Sequence, residues 1–200
     1  AKSCSWNFKN KRRVFTELPT DRMTLITPSQ WLADLVGKSF LSKYPIEVVH
    51  NTIDEAVFKP TPSDFRQRYG IGSRFMVLGV ASPWSERKGL PDFVRLAREL
   101  DSERYAIVIV GLDERQIGEL SSLLTALPKT DSPEELAAAY TAADVLFNPT
   151  LEDNYPTVNL EAESCGTAVV TYDTGGCRET VARADSRVVL DFDAAIEGIQ

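Results

Sequence analysis

One pattern limits the fold more than any other: short apolar, β-branched runs, each followed by a longer stretch with helical spacing. The runs at 75–80 (FMVLGV), 105–110 (YAIVIV) and 168–172 (AVVTY) do not alternate apolar with polar residues. A strand of that kind is covered on both faces, which is the condition of a parallel sheet. Between the runs the period changes. Leu90, Phe93, Val94, Ala97 and Leu100 recur at i, i+3, i+4, i+7 and i+10, the stripe of an amphipathic helix. Further strands are expected at 23–27, 47–49, 144–147 and 187–190. Further helices are expected at 29–38, about 114–124, 133–143, 157–165 and 178–184. Ser132 caps the 133–143 helix ahead of Pro133, and Gly166 ends the 157–165 helix. Strand–helix alternation of this length implies an α/β fold, a doubly wound (Rossmann-like) parallel sheet with right-handed crossovers.

Residues 51–64 (NTIDEAVFKPTPSD) break the pattern. They hold turn formers and two prolines without a period, and they read as a linker. The expected organisation is a strand–helix piece over 1–50, the linker, and a main domain over 65–200.

The totals narrow the function. A net charge of −7 argues against nucleic acid as a partner. The stretch 1–13 runs the other way, with Lys2, Lys9, Lys11, Arg12 and Arg13 and no acid. It reads as a solvated surface segment, with a membrane-facing patch as the sharper alternative. Cys4, Cys165 and Cys177 are odd in number and widely spaced, so neither a disulfide framework nor a zinc site is expected. Reduced thiols place the protein in the cytoplasm by default. A single histidine, His50, makes a Ser-His triad or a His-based metal site a poor reading. No apolar stretch is long enough for a transmembrane helix. No signal peptide is visible, and a start without Met reads as a piece of a longer chain.

In such a sheet, ligands bind beyond the carboxyl ends of the strands. The segments expected there are ASPWSERKG, GLDE, NPTLEDNYP and DTGGCRE. Arg87 and Lys88 stand at the entry to a helix, the wrong end for cations unless an anion joins them, so they suit a phosphate or diphosphate. Gly175 and Gly176 follow a strand, where a backbone can approach closely. On the 157–165 helix, Val158, Ala162 and Cys165 form the inward stripe, and Glu161 flanks it near the ligand edge. A carboxylate there is costly without partners, and vicinal hydroxyls of a ligand are suitable donors. Asp153 lies just before the helix and is expected to converge with Glu161 on a polyhydroxylated ligand. Glu163 falls on the far face and reads as solvated, Tyr140 reads as core, and His50 as a loop residue.

As an ordered set these residues resemble glycosyltransferase family 4 (group 1), of GT-B fold. The pieces are Thr27-Pro28-Ser29, Asn51-Thr52-Ile53-Asp54 with Phe58-Lys59-Pro60, Arg87-Lys88-Gly89 and Tyr140 through Asp144. They continue with Asp153, Glu161-Ala162, Cys165-Gly166-Thr167 and Gly175-Gly176-Cys177-Arg178-Glu179. There are departures. Asp153 stands where the family more often has Glu, with Glu152 one position out of register. Ser82 and Pro83 occupy the place of a usual Arg, for which Arg87 is a substitute. Thr52 replaces a Gly.

The resemblance implies the C-terminal, donor-binding half of a GT-B enzyme, with most of the N-terminal acceptor domain absent and the closing C-terminal helices cut. It implies a retaining, metal-independent transferase without a cofactor. The donor is a nucleoside-diphosphate sugar, and the acceptor a glycan or lipid-linked molecule, as in polysaccharide synthesis. It implies that Arg87 and Lys88 offset diphosphate charge, that Glu161 binds ribose hydroxyls, and that Asp153 approaches the sugar. Ser82 and the backbone at Thr157, Val158, Gly175 and Gly176 would complete the binding site. The location implied is cytoplasmic, with peripheral attachment to the inner face of the membrane as an option. Two other classes stand beside this reading: a nucleotide-sugar epimerase of GT-B fold, and a non-catalytic nucleotide-binding module.

Overall fold

The computed structural model describes residues 2–200. It divides into a smaller unit ending at Asn51 and a larger one from Thr52 to Gln200. The smaller unit opens with α1 (Lys2–Phe15), so most of the basic stretch 1–13 is helical; Ala1 lies outside the described residues. Its Trp6 and Phe8 are exposed, and the Phe8 ring also meets Phe40 edge-on at 5.4 Å. Two short parallel strands, β1 (Leu25–Thr27) and β2 (Ile46–Val48), flank α2 (Gln30–Gly37), which Ser29 caps by accepting from the Leu32 amide.

The larger unit begins with the single turn α3 (Phe65–Arg68). Strand β3 (Phe75–Val80) then leads through a 3₁₀ turn, Glu86–Lys88, into α4 (Leu90–Glu99). Next come β4 (Tyr105–Val110), α5 (Glu114–Leu120), β5 (Thr125–Leu127), α6 (Pro133–Ala142) and β6 (Val145–Asn148). The chain closes with α7 (Thr157–Ser164), β7 (Ala168–Tyr172), β8 (Arg187–Val189) and α8 (Phe192–Ile199).

The six strands pair in parallel in the order β5-β4-β3-β6-β7-β8. Counted within this unit the order is 3-2-1-4-5-6, the doubly wound arrangement whose direction reverses between β3 and β6. The pleat sorts the apolar runs onto two cores. Val77, Ile107, Ile109 and Phe147 face a cluster with Trp84, Phe93 and Leu96. Met76, Leu78, Val108, Val110 and Leu146 face another with Tyr140, Ala162 and Cys165. Each inward side chain is nearly or fully buried, which contributes roughly 1.5–3 kcal/mol for an aliphatic or aromatic residue.

Several boundaries differ from the sequence reading. The helix expected to about residue 124 ends at Leu120, and residues 125–127 become an edge strand pairing with β4. The helix expected over 178–184 is only a 3₁₀ turn, Cys177–Thr180, followed by irregular chain. Its place is held by Glu163. The carboxylate accepts from the Ala182 amide at 3.0 Å, the Arg183 amide at 3.2 Å and Ser186 Oγ at 2.7 Å. Glu163 is therefore a structural acceptor and not a solvated acid. Ser186 is buried and its Oγ also accepts from the Val169 amide, tying this irregular segment to β7.

Candidate functional site

The reversal between β3 and β6 brings together the loops at the carboxyl ends of those strands, and these loops are fastened to one another. The loop after β6 takes a backbone bond from Leu151 N to Arg87 O, 2.8 Å, on the 3₁₀ turn after β3. The loop after β7 adds Thr174 Oγ1 to Thr150 O, 2.6 Å, and Gly176 N to Asp153 O, 3.0 Å. Beneath them a buried chain of amides and hydroxyls runs from Asn148 Nδ2 to Asn159 Oδ1 and from Asn159 Nδ2 to Thr180 Oγ1, both 2.9 Å. Thr171 Oγ1 donates to Asn148 O at 3.0 Å. Buried polar groups with every partner in place fix the relative position of their elements. This network locks α7 to β6 and to the turn after β7. Sequence reasoning missed it, because an Asn near the end of a strand and another in the first turn of a helix look like ordinary polar residues.

On this platform Lys88 Nζ meets Asp153 Oδ2 at 2.6 Å. The side chains are 26% and 20% exposed, so the pair is partly shielded yet open to solvent on one side. Asp153 Oδ1 also accepts from the Tyr155 amide, 3.3 Å. Two motif residues 65 positions apart are thus in direct contact across the switch point. Gly175 has φ +57°, and a Cβ there would lie 1.9 Å from the Asp153 carbonyl oxygen. The close approach expected of the glycine pair therefore belongs to Gly175 and is made to the protein's own backbone. Gly176 has an ordinary φ of −92° and contributes its amide.

Arg87 and Lys88 stand at the entry to α4 as expected, on the 3₁₀ turn that precedes it, with Gly89 between. Arg87 is exposed, and its Nη1 reaches Glu152 O at 3.4 Å. Ser82 is exposed at the end of β3 and takes no part in these contacts. Thr157 and Val158 open α7, where backbone amides have no intrahelical acceptor. The Val158 side chain packs against the core.

Glu161 is half-buried on the next turn of α7, and Tyr140 Oη of α6 donates to its Oε2 at 2.8 Å. The expectation of a carboxylate waiting for partners is corrected here, because the core supplies one. Burial pushes the Glu161 carboxyl above its ordinary value, while hydrogen bonds from Tyr140 and Thr157 pull it back down. Tyr140 is in the core as expected, fully buried, with its phenol pushed up first by burial and then by Glu161. Asp153 and Glu161 are both placed by α7 and the loop before it, but each is held by a different partner: Lys88 for the first, Tyr140 for the second. Among the described residues no group of three His, Cys, Asp or Glu side chains could hold a metal ion.

A 3-2-1-4-5-6 sheet with a basic residue, an acid and a helix N-terminus at its switch point defines a Rossmann-like α/β unit. The family model of glycosyl transferases group 1 matches residues 63–199, and the chain belongs to that family. A D-inositol 3-phosphate glycosyltransferase of Pseudarthrobacter chlorophenolicus is 36% identical over 174 residues, covering 80% of this chain and 41% of that protein. Sucrose-phosphate synthase from Thermosynechococcus elongatus shares the fold with a TM-score of 0.79 at 19% identity, over 98% of this chain and 51% of that one. HepE of Anabaena, solved in complex with UDP-glucose, has a TM-score of 0.70 at 20% identity, over 96% and 56%. The fold is thus that of the C-terminal halves of GT-B glycosyltransferases. The chain spans about half the length of the curated relatives it matches. Among the described residues no helix is long and apolar enough to cross a membrane.

Proposed function

We propose that this chain is the donor-binding half of a retaining glycosyltransferase, one that moves a sugar from a nucleoside-diphosphate sugar to a glycan or lipid-linked acceptor in polysaccharide synthesis. The observation that carries the reading is the Lys88–Asp153 pair, set across the switch point of a sheet in a chain of the group 1 family. The UDP-glucose complex of HepE adds the donor class by likeness. Lys88 presents three donors on a flexible stem, so it can hold Asp153 and a diphosphate oxygen together. Arg87, exposed on the same 3₁₀ turn, adds a second positive charge, and the free amides of Thr157 and Val158 add dipoles. These groups would offset charge developing on the departing nucleoside diphosphate, an electrostatic role that requires no metal and no protein nucleophile. Asp153 would approach the sugar, and Glu161 would accept from the ribose hydroxyls. Ser82 and the backbone at Gly175 and Gly176 would border the same ligand.

The reading places the full-length protein in the cytoplasm, attached to the membrane at most peripherally, with the acceptor bound by a second domain. The 200-residue chain alone should transfer no sugar, because positioning by both walls of a cleft can be worth ~7–11 kcal/mol of barrier. The test is calorimetric titration of the chain with UDP, GDP and ADP and with the matching nucleosides. Lys88→Ala and Arg87→Ala should each weaken diphosphate binding by about 1.5–3 kcal/mol, as expected for hydrogen bonds to a charged group, and leave nucleoside binding nearly unchanged. Equal losses for diphosphate and nucleoside would remove the pair from the phosphates.

A further inference from the structure

Among the groups outside the donor-site roles, Tyr140 is the one whose contacts point back at the site. Its side chain is fully buried, in the core that covers one face of the sheet. A phenol in such a place is costly unless its hydroxyl finds an acceptor, and a backbone carbonyl would satisfy it. Here the acceptor is instead the Glu161 carboxylate, on the neighbouring helix, at 2.8 Å. The hydroxyl itself has little freedom. Phe58, near the start of this unit, stands edge-on to the ring with centroids 6.2 Å apart. The Tyr140 carbonyl is held by Thr167 Oγ1 at 2.6 Å. Phe58 is tied in turn, because its carbonyl accepts from Ser164 Oγ of α7 at 2.6 Å. The phenol is therefore a fixed point in the core, and Glu161 is a half-buried side chain that would otherwise sample several rotamers.

We infer that Tyr140 is a positioning residue for ribose recognition: its hydroxyl pins one oxygen of Glu161 so that the carboxylate meets the 2′- and 3′-hydroxyls of a nucleoside diphosphate in one orientation. The inference rests on the donor-site reading above. A carboxylate offers roughly four acceptor positions, and Tyr140 and Thr157 occupy two, so capacity for two ligand hydroxyls remains. The phenol also works against burial. Burial raises the Glu161 carboxyl, and the phenol's hydrogen bond opposes that rise. Tyr140 touches no ligand in this scheme and acts wholly through Glu161.

The experiment is a double-mutant cycle on the 200-residue chain, with Tyr140→Phe, Glu161→Gln and both together. Each protein is titrated with UDP, GDP, ADP and their 2′-deoxy forms. Tyr140→Phe should weaken the best-binding ribonucleotide about five- to tenfold, less than the full worth of a hydrogen bond to a charged group because Tyr140 acts only through Glu161, and leave its 2′-deoxy form within about twofold. In the Glu161→Gln background the Tyr140→Phe loss should disappear, since the group through which it acts has changed. Equal losses on ribo and deoxy ligands, or a loss that persists beside Glu161→Gln, would make Tyr140 a structural residue and overturn the inference. A parent chain that binds a nucleoside diphosphate while Tyr140→Phe is without effect overturns this inference alone. A parent chain that binds none of the three overturns the donor-site reading and this inference with it.

Discussion

The replacement of Gly175 by Ala separates two effects that glycine hides. At φ +57° an L residue enters the left-handed region, at a cost of about 1–2 kcal/mol. At Gly175 there is a second cost, since the new Cβ would stand 1.9 Å from the Asp153 carbonyl oxygen and 2.9 Å from its carbon. Gly70 is the matched control, with φ +63° and nothing within 4 Å of a Cβ built there. Gly70→Ala should therefore show the backbone cost alone. Gly175→Ala must also move the Asp153 peptide, at about 1–3 kcal/mol if it behaves like an overpacked core. It loses the Gly176 N to Asp153 O bond as well, about 1 kcal/mol more. At roughly 2–4 °C per kcal/mol for a domain of this size, Tm should fall by about 2–8 °C for Gly70→Ala and about 6–24 °C for Gly175→Ala. Thermal unfolding followed by far-UV circular dichroism measures both. Because the displaced residue is the partner of Lys88, nucleotide affinity should also drop for Gly175→Ala and hold for Gly70→Ala. Equal Tm shifts with unchanged affinity in both would refute the argument that backbone contact through Gly175 sets the Asp153 loop.

Glu161 carries a pH prediction. Its carboxyl is raised by burial, so the stability it contributes is fully present below the ordinary value of 4.5 and is lost as pH rises through the raised value. Urea midpoints taken at steps upward from about pH 4 should show the parent losing ground to Glu161→Gln, and the opposite slope would reject burial as the dominant cause. Glu163 is expected to behave differently, because its three donors belong to the protein. Glu163→Ala should cost about 2–3 kcal/mol of folding stability, read as a lower urea midpoint, while nucleotide affinity at a temperature where the variant is folded stays at the parent value.

How far the fold could be read from the sequence depends on what specified each element. The central strands β3, β4, β6 and β7 are buried on both faces, so their apolar runs carried the information alone. The edge strand β5 is different. Its residues, Thr125 to Leu127, are half-buried, and its existence depends on pairing with β4. Three residues without an apolar run give no local strand signal, which is why the expected helix was carried to about residue 124 and no strand was read after it. The 178–184 segment failed for a related reason. Its Ala182 and Arg183 amides are satisfied by Glu163, about 20 positions earlier in the chain, so the local sequence held a helix-like composition without a helix's hydrogen bonds.

At the site the same division holds between what a position is and what it touches. The loops that meet at the switch point were identifiable because strand order alone puts them at one edge, and Lys88, Asp153 and Gly175 stood out by residue type. Their pairing was not identifiable, since an ion pair across 65 positions follows from the topology and leaves no spacing signal. Glu161 and Tyr140 show the limit most clearly. Periodicity assigned Tyr140 to the core correctly, and periodicity treats tyrosine as a larger phenylalanine. The hydroxyl is what the pattern cannot weigh. A phenol expected at zero exposure has to be given an acceptor, and the nearest half-buried acid on the adjoining helix was Glu161. Carried one step further, that requirement would have joined the two residues from the sequence alone. It also explains why the site's acid can sit against the core: the partner that burial demands comes from the protein's own interior, which leaves the rest of the carboxylate to a ligand.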